Sequence, residues 1–269
     1  MYECLRRKTF FILIFSLYSF VTFSESPEVN GPLTDNPKSV LMVGNSFLYF
    51  NNGMHNPVRN LIKADASFSD DYQFRKITIS GGSLTWHNIK SYITNPFMGS
   101  FTFDKDNNLI KQEKKQFDLA IMHDCSRCPI TEGTKPMFHK VIDVHAKTLK
   151  EADIEPALMM TWAYKNKSSM TKRLAEEYIE AANRNNILVI PVGLAFAEVN
   201  RVFPEIDLYT KDKRHPSRAG TYLGACVIFS SLYKKTAEGN SFFFGLEAQE
   251  AKTLQKVAWQ VTSNFYTGK

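Results

Sequence analysis

Three residues whose types can activate a hydroxyl group lie at opposite ends of this chain. Ser46 closes a Gly-Asn-Ser turn directly after the apolar run 40–43, and Asp212 stands three residues before His215. A serine hydroxyl becomes an effective nucleophile when a histidine takes its proton and a carboxylate orients that histidine. Asp207 is a second loop carboxylate that could take the orienting role. The structural alternative is a helix-capping serine and a surface histidine.

Five apolar segments alternate with amphipathic ones, and this alternation must position those residues. The strands are predicted at 40–43, 74–80, 117–122, 156–162 and 187–192, and the helices at 54–66, 86–93, 135–152, 168–185, 193–202, 218–233 and 248–265. Such an order predicts an α/β protein, a three-layer α/β/α sandwich with a five-stranded parallel sheet. Parallel strands end at one edge, so residues that follow different strands converge there. Residues 95–116 are polar and are predicted to form an inserted loop.

Several motifs occur together and in order: Gly44-Asn45-Ser46-Phe47, Met160-Thr161-Trp162-Ala163, Asp212-x-x-His215, and His-Pro-Ser-Arg-Ala-Gly-Thr-Tyr-Leu-Gly-Ala-Cys over 215–226. Over residues 38–262 the chain resembles the SGNH, or GDSL-type, hydrolases, and most closely a bacterial exported branch with a GNSF nucleophile block. The resemblance implies a flavodoxin-like strand order 2-1-3-4-5 in one hydrolase domain over 38–269. It also implies a Ser46-His215-Asp212 triad and a serine ester hydrolase that needs no cofactor and no metal.

The resemblance also implies donors for an oxyanion hole. These are the backbone N–H of Ser46 and that of a glycine in the second block, where Gly81 and Gly82 both match and the spacing favours Gly82. The family places an Asn after the third strand, but this chain has neither Asn nor Gln there. His123 stands where related sequences have Gln, so it is predicted as the third donor, with a merely cleft-lining role as the alternative.

Asn45, Trp162 and Tyr164 are predicted to contact substrate. Trp162 and Tyr164 follow the fourth strand, where an aromatic ring could stack on a sugar or pack against an acyl group. Plain packing is the alternative for both aromatic residues.

The expected substrate is a small-molecule or glycan ester. An exported location and the small acyl groups typical of the family favour removal of acetyl groups from a carbohydrate. The rival hypotheses are a lipid esterase or lysophospholipase, a non-catalytic glycan-binding protein, and acyl transfer to a glycan. The chain carries a net charge of +6, but its cations are mixed with acids and form no stripe among aromatic residues, so no nucleic-acid partner is predicted.

The first 25 residues have the composition of a signal peptide. Three basic residues, 6–8, precede the apolar run 9–23, and Ser24 and Pro27 end that run. Cleavage would leave an exported protein, secreted or periplasmic; the alternative is an uncleaved membrane anchor. An oxidising compartment also suits Cys125 and Cys128, interpreted as a local disulfide or as two incidental thiols, whereas Cys226 is predicted to lie in the core.

Overall fold

The computed structural model of this chain describes residues 26–69, 71–95, 103–110 and 116–268. The predicted signal peptide, residues 1–25, lies outside these ranges. Part of the predicted insertion is described, and there Phe103 and Leu109 form an isolated antiparallel bridge.

Five parallel strands form one sheet at the centre of the fold, in the order β2-β1-β3-β4-β5. The strands are β1 (Ser39–Gly44), β2 (Gln73–Thr78), β3 (Leu119–Met122), β4 (Glu155–Met159) and β5 (Leu188–Ile190). The predicted fold class and strand order are confirmed. In the register, Gly44 at the end of β1 faces Thr78 of β2, and Val43 faces Met122 of β3. The chain therefore leaves these three strands at neighbouring points of one edge.

Helices cover both faces of the sheet. They are α1 (Ser46–Tyr49), α2 (His55–Lys63), α3 (Ile89–Thr94), α4 (Lys135–Glu151), α5 (Met170–Asn185), α6 (Val192–Val202), α7 (Arg218–Tyr233) and α8 (Ala248–Thr267). Buried residues of α2, α6, α7 and α8 pack on one face, and those of α3, α4 and α5 on the other. Within the described part of the chain, none of the helices is both long and apolar enough to cross a membrane.

The side chains of β1 show how this three-layer packing arises. Val40 and Met42 point into the core under α2 and α7, whereas Leu41 and Val43 point into the core under α4 and α5. All four are fully buried. A strand covered by helices on both faces is apolar throughout rather than alternating, as the run 40–43 is.

One predicted helix is divided in the structure. The segment predicted as a helix over 86–93 forms a 3₁₀ turn, Leu84–Trp86, followed by α3. Ser83 accepts a hydrogen bond from Thr85 N, and Asn88 accepts one from Ser91 N. Each of these side chains accepts a hydrogen bond from an N–H group at the start of its own helical turn. Two short helical segments therefore begin within ten residues, in place of one continuous helix.

Candidate active site

Ser46 lies at the edge of the sheet where β1 ends. The Asn45 side chain accepts a hydrogen bond from Phe47 N, so Asn45 caps the short helix α1 and makes Ser46 its first residue. Ser46 is 8% exposed, and its Oγ lies 2.8 Å from Nε2 of His215. The sequence-predicted serine and histidine, 169 residues apart, are thus brought into hydrogen-bond contact.

The other ring nitrogen of His215, Nδ1, is hydrogen-bonded to the Asp212 carboxylate. An ionised carboxylate only accepts hydrogen bonds, so Nδ1 carries the proton and Nε2 is the acceptor for the Ser46 hydroxyl. Burial acts to raise the pKa of Asp212, but hydrogen bonds from His215, Thr210 and Arg214 N outweigh it and hold that pKa well below its usual range. Asp212 therefore stays charged beside the imidazole. Asp207, the competing carboxylate, instead pairs with Lys165 at 2.9 Å.

Two phenyl rings hold the His215 imidazole. Phe50 stacks face to face on it, with ring centroids 4.2 Å apart, and Phe47 meets its edge at 5.7 Å. Asn51, next to Phe50, donates hydrogen bonds to Pro216 O at 2.9 Å and Thr221 Oγ1 at 2.8 Å. The segment that follows Ser46 is thereby joined to the loop that carries His215.

The glycine pair after β2 differs from the expectation for an oxyanion hole. Gly82, the favoured donor, uses its N–H to bond Ile79 O at 3.0 Å, and its carbonyl accepts from Asn45 Nδ2. Gly81 takes the left-handed conformation that this turn requires, at φ +67°. Its N–H has no acceptor among the described residues. The N–H of Ser46, the first of α1, has no intrahelical partner either.

His123 has no N–H directed at Ser46. Its Nδ1 donates to the Asp124 carbonyl at 2.8 Å, and its Nε2 accepts from Asn45 N at 3.3 Å. The ring packs against Gly44, where an added Cβ would lie 2.1 Å from Nε2. Burial lowers the pKa of His123 to about 4, so the ring is neutral. With both nitrogens occupied, this imidazole has no free donor for an oxyanion.

Around the serine turn, further buried polar side chains form hydrogen bonds with backbone groups at the ends of the strands. The Asp124 carboxylate accepts from Leu84 N at 2.8 Å and from Cys125 N at 2.7 Å, and burial raises its pKa. His87 Nε2 donates to Gly44 O at 2.9 Å, and His145 Nε2 donates to Leu84 O at 3.2 Å. These contacts join the segments that follow β1, β2 and β3.

The three residues predicted to contact substrate differ in exposure and in the contacts they make. Trp162 is fully buried, stacks between Phe47 at 4.4 Å and Phe196 at 4.3 Å, and presents no surface to a ligand. Asn45 is 4% exposed, and its side chain forms hydrogen bonds with backbone groups. Tyr164 is half-buried, and its hydroxyl lies 2.7 Å from Ser126 Oγ. Trp162 is a packing residue because β4 ends at Met159 and the chain then turns inward beneath α6.

The cysteines are placed as the sequence indicated. Cys125 and Cys128 form a disulfide just after β3, which is one of the two open interpretations. Cys226 is a free thiol, fully buried in α7.

Sequence reasoning missed Phe50, Asn51 and Asp124. An Asn-Asn-Gly run in the sequence does signal a turn, but no local pattern says that Asn51 in this turn binds Pro216, 165 residues away and next to His215. Asp124 could have been found from its position, two residues after the end of the third strand, at the edge of the sheet where the candidate residues converge.

Comparison with solved structures gives the fold. A DUF4886 family protein from Bacteroides uniformis matches with a TM-score of 0.58 at 20% identity, over 82% of this chain and 93% of that one. A putative GDSL-like lipase from Parabacteroides merdae matches at 0.54 and 14%, over 75% and 99%. The acetyl xylan esterase AlAXEase matches at 0.53 and 16%, over 71% and 98%. This chain therefore shares the α/β/α fold of these three structures.

No protein-family model matches the sequence, and none of the curated proteins matches it.

Proposed function

We propose that this protein is a serine esterase that cleaves carboxylic esters through Ser46, His215 and Asp212. The observation that carries the proposal is the hydrogen-bond chain from Ser46 Oγ through the imidazole to the carboxylate, with 2.8 Å between Oγ and Nε2. A candidate base within hydrogen-bond reach of a hydroxyl, itself oriented by a third group, is the arrangement that nucleophilic acyl transfer needs.

In the proposed reaction, Ser46 Oγ attacks the ester carbonyl carbon while His215 Nε2 takes the hydroxyl proton. The tetrahedral intermediate collapses, the ester C–O bond breaks, and the imidazolium gives its proton to the leaving alcohol. Water then attacks the acyl-serine with His215 again as base, releasing the carboxylic acid and restoring Ser46. The Asp212 charge stabilises the imidazolium in both halves of the reaction.

The developing oxyanion needs donors directed at it, and each is worth about 10²–10³ in rate. We assign Ser46 N–H and Gly81 N–H to this role, because both lack an acceptor among the described residues and both sit at the ends of the neighbouring strands β1 and β2. Gly82 and His123 are not used, since their N–H groups are bonded to Ile79 O and Asp124 O.

For the substrate we propose a short acyl ester, an acetyl group above all, on a carbohydrate. Support comes from the fold shared with the acetyl xylan esterase AlAXEase and from an exposed aromatic ring next to His87, whose imidazole is hydrogen-bonded to Gly44 O. Trp86 is 63% exposed and lies in the turn whose first residue, Leu84, is bound by Asp124. Exposed aromatic faces stack on sugar rings, so Trp86 replaces Trp162 as the proposed sugar-binding residue.

The proposed location is outside the cytoplasm, supported by the signal-peptide composition of residues 1–25 and by the Cys125–Cys128 disulfide.

The test of the esterase proposal is hydrolysis of p-nitrophenyl esters, from acetyl to octanoyl, by the protein and by Ser46→Ala. We expect acetyl to be cleaved best and the variant to retain less than about one part in 10⁴ of kcat. A preference for octanoyl would favour the lipid esterase hypothesis instead. Equal inactivity of both proteins on every ester would overturn the proposal and leave glycan binding or acyl transfer.

The sugar assignment is tested with Trp86→Ala. We expect KM for an acetylated oligosaccharide to rise about tenfold while KM for p-nitrophenyl acetate stays the same, because only the sugar reaches the indole. Unchanged KM for both substrates would remove Trp86 from the binding site.

A further inference from the structure

A groove of about 650 Å³ runs along the free edge of β2, where α2 passes over the strand. Its lining is unusually rich in cations: Arg59, Arg75 and Lys76 all contribute, together with His55 and a single carboxylate, Asp71. None of these residues belongs to the proposed esterase chemistry. The groove is therefore a second feature that needs a physical explanation.

The basic groups come from two elements that face each other. His55 and Arg59 are one helical turn apart on α2, so they lie on one face of it. Lys76 points toward that face from β2: a Cβ placed on Gly53 would lie 2.6 Å from His55 Nδ1 and 2.9 Å from Lys76 Nζ. The imidazole and the ammonium group are thus close neighbours.

The one carboxylate in the lining is already neutralised. Asp71 forms an ion pair with Lys38 at 2.7 Å. Among the described residues, no carboxylate lies within 4 Å of a side-chain nitrogen of Arg59, Arg75 or Lys76. Arg59 Nε is buried and has no hydrogen-bond acceptor in the described part of the chain.

Burial lowers the pKa values of three of the basic groups in the groove, and at His55 neighbouring charges add to this effect. Burial first, and then the charges of Lys76 and Arg59, lower the pKa of His55 to about 4. Burial also lowers the pKa of Lys76 and that of Arg75. Partly buried cations are stable when they are paired and hydrogen-bonded, and they are costly when they are not. Among the described residues, the groove offers no negatively charged acceptor to Arg59 or Lys76.

We propose that the groove between α2 and the β2 edge is an anion-binding site, separate from the oxyanion hole, that takes a sulfate, phosphate or carboxylate group. Guanidinium groups bind such oxygens in paired hydrogen bonds, and a lysine adds a compact charge. Arg59 and Lys76 are the principal ligands, because both line the groove, one from α2 and the other from β2, and Lys76 Nζ lies beside the His55 imidazole. The site does not depend on the esterase proposal.

The first experiment titrates the full chain with sodium sulfate at constant ionic strength, followed by calorimetry and by the NMR signals of His55. We expect saturable binding, and a rise in the pKa of His55, because the anion offsets the two charges that lower it. Arg59→Gln and Lys76→Met are each expected to weaken binding at least tenfold, whereas Arg59→Lys keeps part of it. Lys90→Met removes an exposed charge outside the groove and is expected to leave the Kd unchanged.

A competition experiment distinguishes binding of a free anion from binding of an anion carried by a sugar. A sulfated oligosaccharide is expected to compete with inorganic sulfate in the wild type, and its unsulfated form is not. The proposal is overturned if sulfate causes only non-saturating screening, or if Arg59→Gln and Lys76→Met, shown to be folded by circular dichroism, bind as tightly as Lys90→Met. Binding of the sulfated sugar that inorganic sulfate does not displace would also overturn it.

Discussion

Two histidine–aspartate pairs lie near Ser46, and they have opposite properties. In the loop before α7, Asp212 is 43% exposed at its side chain and its carboxylate contacts the imidazole of His215 directly. After β3, His123 and Asp124 are each 1% exposed, and both bind backbone groups of neighbouring segments rather than each other's side chains. One pair leaves an imidazole nitrogen for the serine, and the other leaves none.

The surroundings of the two carboxyl groups account for the difference. Hydrogen bonds outweigh burial at Asp212 and hold its pKa down, whereas burial dominates at Asp124 and raises its pKa. A carboxylate that stays charged can orient and stabilise an imidazolium. A buried carboxyl group that serves two backbone N–H groups stabilises the loops instead. Residue type alone therefore does not show which histidine–aspartate pair is placed to activate a serine.

The largest expected effect separates the two histidines. His215→Gln is expected to lower kcat for p-nitrophenyl acetate by about 10⁴-fold or more, because no base remains for Ser46. His123→Gln keeps one acceptor for Asn45 N and one donor for Asp124 O, so its kcat is expected to stay within about tenfold of the wild type. Comparable losses in the two variants would contradict the distinction between the pairs.

The two aspartates are expected to differ in the same way. Asp212→Asn should lower kcat by about 10²–10⁴-fold while changing the free energy of unfolding by about 1 kcal/mol or less, since the site is half-exposed. Asp124→Ala should instead cost about 2–4 kcal/mol of unfolding free energy, because Leu84 N and Cys125 N lose a buried acceptor.

Urea unfolding and steady-state kinetics on both variants measure these quantities. An Asp124→Ala protein of wild-type stability would show that this carboxyl group does not hold the loops.

Acid is expected to destabilise the protein through its buried histidines. Between about pH 4 and 6.5 an unfolded His123 binds a proton that the native state, with a pKa of about 4, does not. Stability must therefore rise with pH across that window, by up to about 3 kcal/mol for this residue. His87 and His145, whose pKa values burial also lowers, act in the same direction, and Asp124 acts against it.

The measurement is the free energy of unfolding in urea at pH 4.5 and at pH 7. His123→Gln, which cannot titrate, should show a smaller difference between the two pH values than the wild type. An unchanged difference would mean that His123 is protonated in the native state.

The smallest expected effect concerns the hydrogen bonds that Asn51, in the segment after Ser46, donates to the segment after His215. Asn51 has a φ of 52° and donates two hydrogen bonds to that segment. Asn51→Gly keeps the backbone conformation and loses the hydrogen bonds, at a cost of about 1–2 kcal/mol in unfolding free energy. Asn51→Ala adds about 1 kcal/mol of left-handed strain. Equal stability of the two variants would show that the backbone conformation contributes nothing.

Most of the fold was accessible from the sequence because it depends on local patterns. Apolar runs such as 40–43 predict strands that are buried on both faces, and seven amphipathic segments predict helices, six of them placed to within a few residues. Where the prediction failed, at 86–93, two capping side chains divide the helix. The sequence left open whether Trp162 packs in the core or contacts substrate, because the exposure of an aromatic ring is decided by distant elements, here α1 and α6.

The sequence by itself determined which residues are candidates for a triad, Ser46 in its Gly-Asn-Ser turn and the pair Asp212-x-x-His215, because residue type and short spacing are local features of the chain. Only the tertiary structure decided that Ser46 meets His215, that His123 is committed to the backbone, and that Gly81 rather than Gly82 keeps a free N–H. The reason is physical: hydrogen-bond partners and burial depend on segments far apart in the chain, and these meet only when the sheet is formed.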